Sequence, residues 1–516
     1  MKLYWGFATV GSITILSRIL GFIRDLLIAA VLGTSFVADA LFVAFRLPNV
    51  FGRLQETLDA AFIPLFTKRL HDEGPAAARI FAGTTLTNLS LFLLVLTLVG
   101  EIAMPWLMLV LGPGFASDPT KFDLAVMLAR IALPYLICTS LIALYAGVLN
   151  AFGRFGIAAL APAILNAVLI AVLLALIVLD GEQKAAGVAL AWGIAVGGVA
   201  QVVVLALASA KIGMTVAWQL PGFTSDMRRL AALATPGIIA SGMAQLTGVI
   251  SMIIATLQDS VVSWLYYAQR IFQFPLGVIG VTIAVVLLPN LSHDLRAGDH
   301  DSAIAIENRA LEFALLLTLP AGVALFVAAD PILRVLFERG AFTHTDTNAT
   351  ATMLSALAPG LPAYVLIKVL HPSFFAREDT KTPMIFAGIS MTANAVLSFT
   401  LFVTLGATGI AVASTLVGWL NVTLLLNTLM RREWFRPDRA FLLRLVGMAG
   451  ASVVMGAVTY ALVQVLAPWF APINGFPIQA LTLSVVVGAA LLVYLSGIEL
   501  FGAAKLRDLM ADLTLR

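Results

Sequence analysis

The sequence predicts an all-α polytopic membrane protein with about fourteen transmembrane helices. Hydrophobic residues make up 60% of the 516 residues and charged residues only 11%, which is too little charge for the surface of a soluble domain of this size. Apolar stretches long enough to cross a bilayer recur along the whole chain. Short polar loops separate them, so no soluble domain interrupts the series.

The helices are predicted by dividing the chain at these polar loops. They span residues 5–32, 36–67, 80–110, 122–150, 156–179, 187–210, 230–257, 261–292, 307–329, 348–375, 383–404, 408–430, 440–466 and 477–500. Charged residues interrupt the first stretch and no small-residue cleavage site follows it. We therefore interpret it as a retained first helix rather than a signal peptide.

The distribution of Lys and Arg predicts the orientation. Of the 31 cations, 20 fall on the termini and one set of alternate loops, and four fall on the opposite loops. The four are Lys121, Lys184, Arg334 and Arg339. Because cytoplasmic loops carry the excess of Lys and Arg, both termini are predicted to be cytoplasmic, which requires an even number of helices.

The chain also contains an internal repeat with an offset of about 225 residues. The aligned pairs include Arg46 with Arg270, Leu133-Pro134 with Leu361-Pro362, and Asn166 with Asn394. The offset covers six predicted helices, so the two copies have the same orientation. This pattern predicts two parallel six-helix lobes with a substrate site between them. The predicted parts are residues 1–210, 211–432, and a third part, 433–516, with helices 13 and 14 and a cytoplasmic tail.

Seven cations and four acids are assigned to membrane depth. They are Arg18, Arg24, Arg46, Arg53, Arg130, Arg270, Lys368, Asp25, Asp39, Glu56 and Asp59. A charge at the bilayer centre costs roughly 2.5–3.5 kcal/mol even on insertion scales, so such residues face protein or water. We expect the acids to pair with neighbouring arginines, and Arg130 to lie at an interface. The cations outnumber the acids, and arginines lining a cavity suit a phosphate or pyrophosphate, which a guanidinium grips with paired donors.

Two prolines, Pro48 and Pro275, stand at nearly equivalent places in the second and eighth helices. A proline within a span frees a carbonyl and permits a kink, so both are candidate hinges.

No enzyme is indicated. The five histidines have no ligand spacing, and there is no phosphate-binding loop and no nucleophile with a matching base. The single cysteine, Cys138, is interpreted as a small buried hydrophobe. We expect no cofactor, no metal and no nucleic-acid partner. Transport energy must then come from a coupling cation, the membrane potential or a downstream sink.

Several motifs resemble one known family. Residues 17–25 read SRILGFIRD, residues 47–49 LPN, residues 263–270 SWLYYAQR, residues 273–278 QFPLGV, and residues 379–383 DTKTP. Together they are similar to the MurJ lipid II flippases, whose superfamily also holds multidrug exporters and polysaccharide flippases. The similarity extends over nearly the whole chain.

The resemblance implies fourteen helices, with the last two forming a groove for a lipid tail. It implies an undecaprenyl-pyrophosphate-linked peptidoglycan precursor, lipid II, as the substrate. It also implies substrate-binding roles for Arg18, Arg24, Arg270, Asp25, Asp39 and Arg53. Residues 52–62 depart from the family pattern, because this segment is about two residues shorter and lacks the family's Glu-Gly pair.

The leading hypothesis is therefore a monomeric lipid II flippase of the bacterial inner membrane that works by alternating access among membrane lipids. A flippase for another undecaprenyl-linked oligosaccharide is the first alternative. A cation-drug exporter would call for more carboxylates than arginines. A non-transporting scaffold for wall synthesis would not need arginines inside the membrane.

Overall fold

The computed structural model describes residues 2–222, 224–297 and 299–503. The surroundings of the side chains are described for these residues except 2–9, 47, 49–60, 236–244, 281–286, 290 and 300. The side chains of Arg53, Glu56 and Asp59, the residue Gly298 and the tail 504–516 therefore lie outside the described part. All regular secondary structure within the described part is helical, as predicted.

Ten helical segments of the described chain are long and apolar enough to cross a membrane. They coincide with predicted helices 3–6 and 9–14, which confirms a multi-pass membrane protein. The other four predicted spans are also helical, although they are not among these ten. The number fourteen and the arrangement into two lobes stay predictions.

The chain divides into two compact units. The first consists of Met1–Ser263 with Arg339–Phe342, and the second of Trp264–Glu338 with Thr343–Arg516. The helices of the first unit are α1 (Lys2–Leu32), α2 (Phe36–Asp72), α3 (Gly74–Leu111), α4 (Pro119–Ala132), α5 (Tyr135–Ala151), α6 (Phe155–Ala159), α7 (Ala161–Leu179), α8 (Gln183–Lys211) and α9 (Ser225–Ala255). Helix α9 packs against α2 and α3, although the repeat assigns it to the second predicted lobe. The predicted lobe boundaries stay predictions.

The second unit contains nearly all of α10 and the helices that follow it. They are α10 (Val261–Ala297), α11 (His300–Val327), α12 (Ala329–Phe337), α13 (His344–Leu357), α14 (Leu361–Phe375), α15 (Lys381–Leu405), α16 (Thr408–Arg431), α17 (Arg439–Val465) and α18 (Gly475–Leu500). Short 3₁₀ helices cover Pro113–Ser117, Ala358–Gly360, Ala467–Phe470 and Pro472–Asn474.

Two predicted spans are broken in the middle, and prolines explain both breaks. Helix α4 ends just before Leu133-Pro134, and α5 begins directly after that pair. Helices α13 and α14 are separated by a 3₁₀ turn that contains Pro359, and Pro362 lies in the first turn of α14. A proline cannot donate the backbone hydrogen bond that a helix interior needs, whereas it fits the first turn of a helix. The two breaks fall at the aligned Leu-Pro pairs of the sequence repeat.

Helix α12 lies in a segment that the sequence predicted as a loop. Its nine residues are too few to cross a membrane, so the division into spans missed it. The helix buries Leu333, Val335 and Phe337 and packs against α13 and α18. Asp330 and Arg334, one helical turn apart, form an ion pair at 3.0 Å.

The connection between α8 and α9 lies against a polar face of α3. The Asn88 amide donates to the Gly222 carbonyl oxygen at 2.9 Å and accepts from the Gly222 N–H at 3.2 Å. The Gln219 N–H donates to the Thr87 hydroxyl oxygen at 3.0 Å. These bonds satisfy polar groups of an extended segment that has no helix or sheet of its own.

Candidate functional site

The first cluster of candidate residues joins α1 to α7. The Arg24 Nε and Nη2 both donate to Asp25 Oδ1, at 3.0 and 2.7 Å. The Arg24 Nη1 donates to Asn166 Oδ1 at 2.8 Å, and the Asn166 Nδ2 donates to the Ser17 carbonyl oxygen at 3.1 Å. The Asp25 side chain is fully buried and that of Arg24 is 12% exposed. The expected pairing of Asp25 with a neighbouring arginine is therefore confirmed.

A second cluster surrounds Asp39 in the first turn of α2. Its carboxylate is fully buried and accepts from the backbone N–H groups of Ser260 and Ser263 at 2.9 and 3.0 Å, and from the Ser263 hydroxyl at 2.6 Å. Ser260 precedes α10 and has a φ of 65°, a left-handed conformation that is unfavourable for a residue with a Cβ atom. Asp39 therefore acts as the N-terminal cap of α10, supplied by another helix.

A lysine completes this second cluster. The Lys121 ammonium lies 3.5 Å from Asp39 Oδ2 and 2.7 Å from Asp259 Oδ1, and 4.7 Å from the centre of the Phe115 ring. The Lys121 side chain is only 4% exposed, whereas that of Asp259 is 89% exposed. The expected arginine partner of Asp39 is thus wrong among the described contacts: the cation is a lysine that the sequence placed in a solvated loop.

The segment 339–342 packs at the same end of the first unit. The Ala341 N–H donates to the Ala30 carbonyl oxygen near the end of α1 at 2.8 Å. Gly33 follows α1 with a φ of 58°, and a Cβ atom there would lie only 2.3 Å from the Ala341 carbonyl oxygen. Both the conformation and the close approach require glycine at this position.

Two further charged residues of the first unit have well-defined surroundings. A Cβ atom added to Gly248 of α9 would lie 2.2 Å from the Arg46 Nη2, so the guanidinium of this α2 residue lies directly against the α9 backbone. Arg130 on α4 donates from Nε to the Glu101 carbonyl oxygen at 3.1 Å, and its side chain is 46% exposed. The predicted position of Arg130 at a membrane interface stays a prediction.

The remaining predicted site residues are distributed over both units. Arg18 lies on α1 with an exposed side chain, and Arg270 is half-buried on α10 in the second unit. Pro48 and Pro275 both lie inside continuous helices, α2 and α10, so their hinge roles stay predictions. The Arg53 position lies in α2, but its side chain falls outside the described part.

The second unit has an ion-pair network of its own, where α11 meets the loops before α15 and α17. Arg377 pairs with the buried Glu307 at 2.8 Å. Its guanidinium and that of Arg432 each lie 4.8 Å from the Trp434 ring. Burial acts to raise the pKa of Asp379, but hydrogen bonds from Thr382 and the Arg432 guanidinium lower that pKa to about 2.

The single cysteine, Cys138, is free and half-buried. No group of three or more His, Cys, Asp or Glu within residues 2–222, 224–297 and 299–503 is placed to hold a metal ion.

Comparisons with known proteins place this arrangement in a family. The model of the family described as "Lipid II flippase MurJ" matches residues 28–480. A probable lipid II flippase of Rhizobium meliloti is 43% identical over 509 residues, which cover 98% of this chain and 95% of the relative. The chain belongs to the MurJ family. The resemblance carried by the sequence motifs therefore identified the family correctly.

Other MurJ relatives and solved structures extend the comparison. The lipid II flippase MurJ of Burkholderia cenocepacia is 34% identical over 472 residues, covering 89% of this chain and 90% of that one. A solved MurJ structure in an inward closed conformation matches with a TM-score of 0.77 and 27% identity, covering 97% of this chain and 99% of that chain. An inward-facing multidrug transporter of the MATE family matches at a TM-score of 0.65 and 15% identity, which shows the shared fold alone.

Sequence reasoning about this MurJ chain missed two residues that the clusters depend on. Lys121 was counted as a loop cation, and Asn166 was noted only as part of the repeat. Asn166 could have been found from its position, because an asparagine in an otherwise apolar span needs a partner. For Lys121 the sequence offered no comparable signal, since its buried partner Asp39 is 82 residues away in the chain.

Proposed function

We propose that this protein is a lipid II flippase, which moves the undecaprenyl-pyrophosphate-linked muropeptide from the cytoplasmic to the periplasmic leaflet and catalyses no bond chemistry. Membership of the MurJ family over nearly the whole chain carries the proposal, with 43% identity to a probable lipid II flippase. Supporting it are charged groups within an apolar helical bundle, because ionisable residues inside a membrane are costly and commonly mark a substrate pathway.

The chemistry of the first cluster suits a pyrophosphate. A guanidinium has planar donors that match two phosphate oxygens, and an apolar environment strengthens such contacts. Arg24 is held by Asp25 and Asn166, so an incoming pyrophosphate competes with these acceptors for its donors. Arg18, Arg270 and Arg53 are proposed to contribute further cations, with Arg18 and Arg24 differing by about 120° around α1.

The loop charges support the proposed topology of fourteen helices with both termini in the cytoplasm of the inner membrane. The Asp39 cluster then belongs to the periplasmic end, because it joins loops from the side that is poor in Lys and Arg. Within the first unit, this cluster holds the start of α10 through the Ser260 and Ser263 N–H groups. The proposed energy source is a coupling cation or the membrane potential, and the proposed working form is a monomer.

The test is growth and lipid II export in a bacterium depleted of its own flippase. The unmodified chain should restore both. Alanine at Arg18, Arg24 or Arg270 should abolish export while the protein still inserts. Lysine should restore export only partly, because it keeps the charge and loses the paired donors of the guanidinium. Arg130→Ala is the control and should retain most activity, since Arg130 is exposed and paired with Glu101.

Each outcome separates the proposed function from its alternatives. Export of another undecaprenyl-linked oligosaccharide without lipid II export would overturn the proposed substrate. Growth restored by the unmodified chain without lipid II export would favour a scaffold for wall synthesis. Normal export by all three alanine variants would show that these arginines do not bind the substrate.

A further inference from the structure

The Asn166 side chain occupies a position that no motif assigned. It lies on α7 and is 7% exposed. Its amide connects two different parts of α1, accepting from the Arg24 guanidinium and donating to the Ser17 carbonyl oxygen. These two contacts fix the orientation of the amide, because a guanidinium can only donate and a carbonyl can only accept. A flipped amide would place like groups against each other at both ends.

The geometry of Arg24 explains why a contact from another helix is needed. Consecutive residues on a helix point about 100° apart, so Arg24 and Asp25 do not face each other directly. The guanidinium nevertheless places both Nε and Nη2 on the same Asp25 oxygen. It therefore lies along the side of α1, and the Asn166 oxygen holds the remaining nitrogen, Nη1, from the α7 side.

The charge of the acceptors matters as much as their position. The Arg24–Asp25 pair has no net charge, and an amide oxygen adds none. A second carboxylate in place of Asn166 would give the group a net charge of −1 and repel an anionic ligand. A neutral acceptor orients the guanidinium and adds no negative charge that would repel the ligand.

We propose that Asn166 is a positioning residue for the pyrophosphate: its amide aligns the Arg24 guanidinium without adding a negative charge to the group. The inference rests on the proposed function, because it assumes an undecaprenyl pyrophosphate group as the ligand. Asn166 acts through Arg24, and the contact to Ser17 keeps the amide in place while Arg24 exchanges partners.

The experiment compares the binding of two lipids to the purified full-length chain in one detergent. Undecaprenyl pyrophosphate carries the charged group, and undecaprenol has the same tail without it. Asn166→Asp should weaken binding of the pyrophosphate by about 10–100-fold, as expected when a charged hydrogen-bonding arrangement is spoiled. Undecaprenol binding should change by less than about twofold. Asn166→Leu, which keeps the branching at Cγ but removes both hydrogen bonds, should shift binding in the same direction by about tenfold.

A charge exchange supplies a readout that a purely structural role would not produce. The double variant Asp25→Asn/Asn166→Asp again gives Arg24 one carboxylate and one amide. It should recover part of the preference for the pyrophosphate that Asn166→Asp loses, because a carboxylate at position 166 cannot donate to the Ser17 carbonyl oxygen. The matched control is Gln201→Leu, because Gln201 is also a buried amide that connects helices, bonding Tyr135 and the Ala161 carbonyl oxygen. It should change neither affinity by more than about twofold.

The outcomes distinguish this inference from the proposed function. Suppose the unmodified chain prefers the pyrophosphate. If the Asn166 variants then weaken the binding of both lipids by the same factor, or of neither lipid, the positioning role is overturned and the function stands. The same holds if the charge exchange fails to recover the preference. If the unmodified chain binds both lipids equally, the proposed substrate is overturned and this role with it.

Discussion

Replacing Asp39 with alanine tests whether this one carboxylate holds the start of α10. The change removes an acceptor for two backbone N–H groups and one hydroxyl. Loss of an N-terminal cap costs about 0.5–2 kcal/mol, and each hydrogen bond to a charged group about 1.5–3 kcal/mol, without simple additivity. The Lys121 ammonium keeps its shorter contact with Asp259, so the buried cation is not left alone. We therefore expect Asp39→Ala to destabilise this region by about 3 kcal/mol.

Amide hydrogen exchange of the purified protein in detergent measures this local effect. A loss of about 3 kcal/mol should speed exchange at residues 260–263 by roughly 100-fold if opening limits exchange. Ser263→Ala removes the 2.6 Å hydroxyl contact alone and should cost only about 1 kcal/mol. Asp259→Asn is the control, since this exposed residue contributes about 0–1 kcal/mol. Unchanged exchange at residues 260–263 in Asp39→Ala would refute the capping role.

Three other predictions concern the topology and the ion-pair network of the second unit. Reporter fusions at Gly181 and Gly298 should locate to the periplasm and the cytoplasm respectively, and finding both on one side would contradict the helix count. The pKa of Asp379 falls from 3.8 to about 2 on folding, so its stabilising effect should be complete above pH 4 and disappear as the pH falls from 4 to 2. The difference between the thermal unfolding temperatures at pH 7 and pH 3 should therefore be smaller in Asp379→Asn than in the unmodified protein. Arg377→Ala leaves the Glu307 carboxylate buried and should cost about 3–5 kcal/mol, whereas a double variant with Glu307→Leu should lose clearly less in the same unfolding assay.

The all-helical fold could be predicted because each span must match the thickness of the bilayer, and apolar stretches of that length are visible in the sequence. The same rule explains what was missed. Helix α12 is too short to register as a span, and the breaks at Pro134 and Pro359 divide spans whose hydropathy is continuous. Hydropathy measures how apolar a segment is and carries no information about interruptions of the backbone.

The candidate site was predictable to the extent that its charges are close in sequence. Arg24 and Asp25 are neighbours, and their pairing was expected and observed. The partners of Asp39 come from residues 82 to 224 positions away, and nothing local marks them. Lys121 shows the limit most clearly, because a lysine at a loop end looks solvated in sequence and is nearly fully buried in the fold.

The attachment of the α8–α9 connection to α3 bears on where the chain can be engineered. A connection of about a dozen residues between two long helices is the kind of site usually chosen for an epitope tag or a fused fluorescent protein. Here Asn88 engages both backbone groups of Gly222, and Thr87 engages Gln219. An insertion between residues 217 and 222 would break these contacts and remove these partners of the Thr87 hydroxyl and the Asn88 amide. The tolerant insertion sites are instead turns such as residues 180–182, whose side chains are exposed to solvent.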